Sequence, residues 1–297
     1  MILKLNTKLN SKNTSTSNLL ASTIRKLGSL ENSNPEQEAL DILSYVCRRP
    51  QQWFYEKSEC HISVRQKSRV ERIVRQRVAG HPLPYIIRHL KFGGLNLYIN
   101  RNILVPRPAT ECLIDAAKSF IGKKKYSNAI RIFDIGTGSG VIAISIGQYC
   151  LENNIKCNII ATDISKSALA VARRNIARHN FSTIIKLRHT NLLDAIRKPA
   201  DLIVANLPYL SPLEAKGLAD PHAALVGGKL GHEMIIELLS QIKDRQLLKP
   251  RGAIMLEIGH SQVSLMRQRA RCLFPGANTR VLKDLEGWNR VLTIQPD

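Results

Sequence analysis

Acidic residues are scarce in this chain. Its 297 residues hold 23 Asp and Glu against 44 Lys and Arg, for a formal charge of +21. Such a field favours encounter with polyanions, which makes ribosomes, RNA or DNA reasonable surroundings without saying which is touched. Also missing is any CxxC pair or Cys/His cluster at metal spacing. Cys47, Cys60, Cys112, Cys150, Cys157 and Cys272 are scattered, and the eight histidines form no constellation. No metal is therefore expected, and the thiols read as reduced, in a cytoplasmic compartment. No apolar run approaches the roughly 20 residues of a membrane span. What is present, 44% hydrophobic and 23% charged residues, suits a globular protein of one large or two modest domains.

The first thirty residues contain no acid but carry Lys4, Lys8, Lys12, Arg25 and Lys26 among Ser, Thr and Asn. An organelle transit peptide has this composition. The scarcity of Arg before Arg25 and the weak amphipathicity favour a flexible basic arm over residues 1–16 instead. Helical spacing follows over 19–30 and 35–46, the second opened by a cap (Asn34), a fixed φ (Pro35) and an acid at the positive dipole end (Glu36). Residues 64–78 set Val64, Val70, Ile73, Val74 and Val78 on one face. The other face holds Arg65, Lys67, Arg69, Arg72, Arg75 and Arg77. It is either a solvated surface or a seat for phosphates or an acidic partner. The spacing predicts a small helical domain over 17–88.

Two prolines in HPLPYII (81–87) break that pattern, and KFGGLNLYIN (91–100) alternates around a glycine pair. A β-hairpin linker is expected over 89–105. Beyond it, AIRIFDIG, CNIIATDI, TIIKLRH, DLIVANLPYL and AIMLEIG are short apolar runs suited to buried parallel strands. Helical stretches over 141–150, 167–179 and 233–248 separate them. RVLKDL and RVLTIQ, joined by EGWN, read as a terminal antiparallel hairpin. Strands alternating with helices predict an α/β fold with a doubly wound, Rossmann-like sheet over 106–297.

In DIGTGSG (134–140), Gly136, Gly138 and Gly140 let the backbone bend and approach a ligand, and the next helix offers free N–H groups. The third glycine of the dinucleotide fingerprint is missing from its place. Asp163, closing the second strand, can accept both ribose hydroxyls or serve only as an acid ahead of the helix at Ser165. Asn191 and Leu192 are expected to end the third strand, where they would bracket an adenine ring.

ANLPYL (205–210) closes a later strand of the same sheet. Its residues can hold a planar amino or amide nitrogen by its hydrogens. Asn206 Oδ1 accepts one and the carbonyl of Leu207 the other, Pro208 keeps Leu207 extended, and Tyr209 lies over the plane. Such a nitrogen is a poor nucleophile because its lone pair is delocalised. Acceptors aimed at the charge developing on it act like an oxyanion hole of reversed sign, worth ~3 kcal/mol each. Holding donor and acceptor in line adds on the order of 7–11 kcal/mol at best. No general base is visible, and none is required if the proton leaves after transfer. A nucleotide-like pocket facing a planar nitrogen suggests methyl transfer.

Taken with PLPYI (82–86), VPRPATE (105–111), ATDIS (161–165), ALVGG (224–228), LEIGHSQ (256–262) and DLEGWNRV (284–291), the chain from about residue 35 onward resembles the release factor glutamine methyltransferases. The resemblance implies a class I methyltransferase sheet of seven strands with a terminal antiparallel hairpin. A small N-terminal helical domain, joined by the β-hairpin, would precede it. It implies S-adenosyl-L-methionine as donor, held by the glycine turn (Gly136, Thr137, Gly138, Ser139, Gly140), by Asp163, by Asn191 and Leu192, and by Asn206. As acceptor it implies the glutamine in the GGQ loop of a peptide chain release factor, held by Asn206, Leu207, Pro208 and Tyr209.

Three residues depart from that family's pattern. Leu207 replaces the first proline of the usual NPPY, keeping the carbonyl and losing rigidity of about 0.4–1 kcal/mol, so activity is expected to survive. Asn191 stands where an acid is usual, and Leu230 replaces the usual aspartate of a loop whose role the residues do not reveal. PRPATE reads equally as a helix start, through Pro108 and Glu111, and as pocket lining. Trp288 and Tyr85 are expected in the core or an interface. The whole reads as a cytoplasmic monomer whose basic helical domain docks its protein substrate. Alternatives are methylation of an exocyclic amine in DNA or RNA, methylation of a ribosomal-protein glutamine, and a cofactor-binding module without turnover.

Overall fold

The computed structural model describes residues 14–30, 34–124 and 127–296, and the chain divides into two compact units, Met1–Arg88 and His89–Asp297. The first unit holds helices α1 (Thr16–Leu27), α2 (Pro35–Cys47), α3 (Gln51–Glu56), α4 (Val64–Val78) and α5 (Leu83–Ile87). A short antiparallel pair joins them, β1 (Thr14–Ser15) with β2 (His61–Ile62). Side-chain caps start the longer helices: Asn34 accepts from Gln37 N, and Ser63 and Gln66 bond reciprocally as a capping box. Leu27, Ile42, Leu43, Phe54, Val70, Ile73 and Val74 form the core. Val64 and Val78, expected on the buried face of α4, are instead exposed, because they are its terminal residues, outside the buried stretch. On the basic face, Arg77 grips Glu38 through Nε (2.7 Å) and Nη2 (3.0 Å). The Arg69 guanidinium lies 4.9 Å over the Tyr45 ring. Arg65, Arg72 and Arg75 are exposed. The expected arm falls mostly on residues 1–13, outside the described residues. Its last three are in regular structure, with Thr16 opening α1 and donating its hydroxyl to Cys60 O at 2.7 Å.

The second unit begins with the hairpin β3 (His89–Phe92) and β4 (Leu95–Tyr98), followed by α6 (Ala109–Gly122). The sheet is then built from β5 (Ile130–Ile135), β6 (Cys157–Asp163), β7 (Ile185–His189), β8 (Ala200–Ala205), β9 (Leu248–Glu257), β10 (Asn278–Lys283) and β11 (Asn289–Gln295). Its spatial order is β10-β11-β9-β8-β5-β6-β7, and β11 alone runs against its neighbours. Helices α7 (Val141–Glu152), α8 (Lys166–Arg178), α9 (Glu233–Asp244) and α10 (Val263–Leu273) make the crossovers. Leu202, Ile203, Val204 and Ala205 are all buried, as a central strand covered on both faces requires. This is the expected architecture: seven strands, a terminal antiparallel hairpin and helices ahead of it.

The order of strands reverses between β5 and β8, so their carboxyl ends open a crevice. Asn175 of α8, fully buried, ties the hairpin to that end of the sheet. It accepts from Tyr98 N (2.7 Å) and donates to Tyr98 O (3.0 Å) and Ser139 O (2.9 Å). α9 stops at Asp244, short of the expected 248. Gln246 takes φ +49°, and the N–H groups of Arg245, Gln246 and Leu247 turn back on Gln241, Lys243 and Ile242, which frees Leu248 to open β9.

Candidate active site

Two loops meet at the switch point. Gly136, just past β5, has φ +71°, and a β-carbon there would lie 2.8 Å from Leu207 Cδ2 and 3.7 Å from Asn206 O. The glycine turn and the loop after β8 are thus in van der Waals contact, which only glycine permits. At Gly138 (φ +51°) a β-carbon would meet only Gly136 O, at 4.0 Å, so the space above the turn is open. The turn is fixed from below. Thr137 N donates to Thr162 O (2.8 Å), Thr137 Oγ1 to Asp134 Oδ2 (2.6 Å), and Gly138 N to Asp163 Oδ2 (3.0 Å). Ser139 is buried, with its Oγ accepting from Val141 N, and Gly140 caps α7.

Asp134 is the residue of this motif that sequence reasoning passed over. It is fully buried, and Oδ2 takes the Thr137 hydroxyl and Ala143 N (3.2 Å) while Oδ1 has no partner among the described residues. Burial pushes its carboxyl up to about 7, with the nearby charge of Asp163 adding a little. Burial also raises Asp163, against the N–H groups of Ser165 (2.9 Å) and Gly138 that favour its charged form. An unpartnered buried carboxylate oxygen at the root of an open glycine turn, with a second carboxylate beside it, fits a ligand with a cationic end and a ribose.

Asn191 and Leu192 do not end the third strand. β7 stops at His189, Thr190 N bonds Asp163 O (3.2 Å), and Asp194 N closes a turn on Asn191 O (3.0 Å). Leu192 sits in that turn at φ +42° with its side chain in the core cluster that also holds Phe133, Ile135 and Leu207, and Asn191 is exposed. A left-handed leucine leaves no periodicity to read in the sequence.

Past β8, Asn206 is half-buried and donates from Nδ2 to Thr110 Oγ1 (3.1 Å), and Thr110 Oγ1 donates to Glu257 Oε2 (2.9 Å). Tyr209 Oη donates to Glu257 Oε1 at 3.4 Å. Glu257, at the end of β9, is buried, and burial pushes its carboxyl up to about 7 against the hydrogen bonds and the charge of Arg290. Tyr209 is pushed up to about 12 by burial and then by Glu257. Thr110 and Glu257 were not singled out from sequence, although VPRPATE and LEIGHSQ contain them. PRPATE therefore both starts α6 and reaches Asn206.

The loop after β8 is held by its backbone. Tyr209 O accepts from Gln262 Nε2 (2.7 Å), Leu210 N donates to Leu225 O (2.9 Å), and Gly227 N donates to Leu210 O (3.1 Å). A β-carbon on Gly227 would strike Pro208 O, and one on Gly231 would come within 2.6 Å of Tyr209 O. The loop 225–231 thus packs main chain against main chain under Pro208 and Tyr209, the role its residues had not revealed. Leu230 projects outward, 67% exposed. Asp220, buried, pairs with Arg107 and accepts from Val105 N (3.1 Å). A groove of about 1210 Å³ opens beside Tyr209, Glu257, Arg107 and Arg290. Trp288 is half exposed and lies tilted at 51° against His260, 5.0 Å between centroids, and Tyr85 is buried.

Comparison with known proteins fits this geometry. Residues 110–220 match the methyltransferase small domain and residues 18–87 the PrmC N-terminal domain. The release factor glutamine methyltransferase of Streptococcus pneumoniae (strain ATCC BAA-255 / R6) is 33% identical over 235 residues, 77% of this chain and 80% of that protein. That of Buchnera aphidicola subsp. Acyrthosiphon pisum is 32% identical over 80% of this chain and 83% of its own. A bifunctional methyltransferase of Rickettsia typhi is 33% identical over 91% of this chain, which spans only 55% of that relative's length. Among solved structures, the hMettl16 catalytic domain in complex with MAT2A 3'UTR hairpin 6 shares the fold, with a TM-score of 0.54, 20% identity, and coverage of 68% of this chain and 75% of that one. Two curated relatives at 32–33% identity, each matched over more than three quarters of this chain, together with the N-terminal family match, settle the assignment: the chain belongs to the release factor glutamine methyltransferase family.

Proposed function

We propose that this chain transfers a methyl group from S-adenosyl-L-methionine to the side-chain amide nitrogen of the glutamine in the GGQ loop of a peptide chain release factor. The observation that supports the reading is the close approach of Gly136 to Leu207, which sets the glycine-rich turn directly against the NLPY segment. When bound, the cofactor supplies a methyl on positively charged sulfur, which keeps the bonding electrons as the amide nitrogen takes the methyl carbon. Asp163 would accept the ribose hydroxyls, the charge of the Asp134 carboxylate would favour the cationic end, and the open space above the turn from Gly136 through Thr137, Gly138 and Ser139 to Gly140 would receive the rest. Asn191 would serve the adenine edge, and Leu192, buried, would contribute the turn that presents it.

Asn206 Oδ1 and the carbonyl of Leu207 accept the two amide hydrogens, which turns the nitrogen lone pair toward the methyl. Pro208 holds Leu207 extended, and Tyr209, anchored through its hydroxyl and its carbonyl, covers the amide plane. Acceptors fixed in advance stabilise the charge that grows on nitrogen, and the surplus proton leaves to solvent from the N–H held at Asn206. The groove beside Tyr209 is larger than most small-molecule sites and suits a macromolecular acceptor. The exposed guanidinium groups of α4 suit an acidic face of that partner, or ribosomal RNA beside it. The protein works as a cytoplasmic monomer in this reading.

Mass spectrometry of a release factor co-expressed with this chain tests the proposal. The GGQ peptide should gain the mass of one methyl group, and the gain should vanish with Asn206→Ala. An unmodified GGQ peptide, or label appearing in nucleic acid instead, rejects it.

A further inference from the structure

We propose that Thr110 and Glu257 are positioning residues that decide which end of the Asn206 side chain faces the acceptor. The inference rests on the acceptor-holding role of Asn206 given above and extends it. An asparagine amide has a donor end and an acceptor end of nearly the same shape, so packing alone does not choose between them. Only the oxygen end can take a hydrogen from a substrate amide. The nitrogen end would point two hydrogens at two hydrogens.

The hydrogen-bond chain supplies the choice. A carboxylate accepts and never donates, so Glu257 Oε2, 2.9 Å from Thr110 Oγ1, fixes the threonine proton toward itself. The Thr110 oxygen is left as an acceptor, and Asn206 Nδ2, 3.1 Å away, fills it. The amide oxygen is thereby turned to the opposite side. Both relay atoms are buried, Thr110 at 2% and Glu257 at 2% exposure, so water does not compete for the proton. Tyr209 Oη donates to the other carboxylate oxygen, which leaves that side satisfied as well. The relay therefore orients two of the four residues that hold the acceptor.

The polarity depends on the charge of Glu257. Protonated, it can donate to Thr110, whose proton then points at Asn206 and draws the amide oxygen away from the acceptor. The groups facing Glu257 are Thr110 and Cys112 on α6, Asn206 and Tyr209 after β8, and Arg290 on β11, itself paired with Asp284. Arg107 acts on Tyr209. Arg290 favours the carboxylate and burial opposes it, which puts the change of state near pH 7.

The test compares wild type, Thr110→Val, Thr110→Ser and Glu257→Gln in methyl transfer to purified release factor, with S-adenosylmethionine affinity and melting temperature measured alongside. Thr110→Val should lower kcat by about 10- to 100-fold, the size expected when one oriented hydrogen bond is lost. Cofactor Kd should stay within about threefold, and Thr110→Ser should recover most of the rate. The wild-type rate should fall below pH 7, and Glu257→Gln should lack that limb. A second readout needs no turnover. In protein labelled with 15N-asparagine, the Asn206 side-chain amide resonance should titrate near pH 7 in wild type and stay fixed in Glu257→Gln. Thr110→Val active at the wild-type rate, or an Asn206 resonance insensitive to pH, overturns the relay. Absence of transfer by wild type with a titrating Asn206 resonance would overturn the choice of substrate and leave the relay standing.

Discussion

Leu207 Cδ2 fills the space that a β-carbon on Gly136 would need, 2.8 Å from its ideal position. The glycine turn and the loop after β8 are therefore shaped against each other, and a change in one is felt by the other. Gly136→Ala forces both a clash and a left-handed alanine, the second alone costing about 1–2 kcal/mol. We expect S-adenosylmethionine binding to weaken by about tenfold or more. Leu207→Val in the same chain should recover part of that loss. Calorimetric titration of the single and double variants checks this; equal affinities for wild type and Gly136→Ala would refute it.

Under the proposed function, removing the Asn206 carboxamide should act on rate before affinity. Asn206→Ala is expected to lower kcat by about 10²–10³, the usual consequence of deleting one fixed electrostatic contact in a transition state. The residue is only half-buried, so the melting temperature should move by a few degrees at most. Single-turnover kinetics with saturating cofactor separates the two effects.

Two buried acids make stability depend on pH in a stated direction. The carboxyls of Asp134 and Glu257 are both raised to about 7, chiefly by burial. Each favours the folded state in its protonated form, so the contribution is complete below about pH 4 and is lost as pH rises through 7. The size is on the order of 3 kcal/mol for each group. Urea denaturation of the ligand-free protein between pH 5 and 8 should show falling stability, and a flat profile would count against both assignments.

Cofactor binding should run the opposite way. A cationic ligand beside Asp134 favours the carboxylate, so affinity should rise as pH passes 7, with release of up to one proton per site. Titration in buffers of different ionisation enthalpy measures that proton. Asp134→Asn should abolish its release.

The loop under Pro208 and Tyr209 offers a contrast between neighbours. Gly231→Ala would press a methyl group to within 2.6 Å of Tyr209 O at φ +87°, and should lower kcat about tenfold or more while sparing cofactor affinity. Leu230→Asp, at an exposed position, should change stability by less than about 0.5 kcal/mol. Chemical denaturation and steady-state assays of the two variants, side by side, decide it.

The parts of the site legible in the sequence were the local ones. DIGTGSG and NLPY stand out because each is a run of consecutive residues after a strand, and Asp163 lies at the strand end where the sequence puts it. Thr110 and Glu257 lie 147 positions apart, and nothing in either motif says that they touch. The burial that raises Glu257 is likewise a property of the packed sheet. Asn191 and Leu192 were misplaced by a turn, because an apolar residue after a strand looks the same whether it continues the ladder or folds back into the core. Val64 and Val78 share the α4 stripe in the sequence, but a helix buries its middle more readily than its ends.

Asn175 carries a consequence for anyone dividing this chain. Motif boundaries suggest starting the catalytic half at residue 106, yet that cut removes Tyr98, which takes two of the three hydrogen bonds made by a fully buried amide. The carboxamide, left with Ser139 O alone, would sit unsatisfied directly behind the glycine turn. A fragment beginning at His89 keeps those partners, so the hairpin should travel with the transferase half whenever the two are expressed apart.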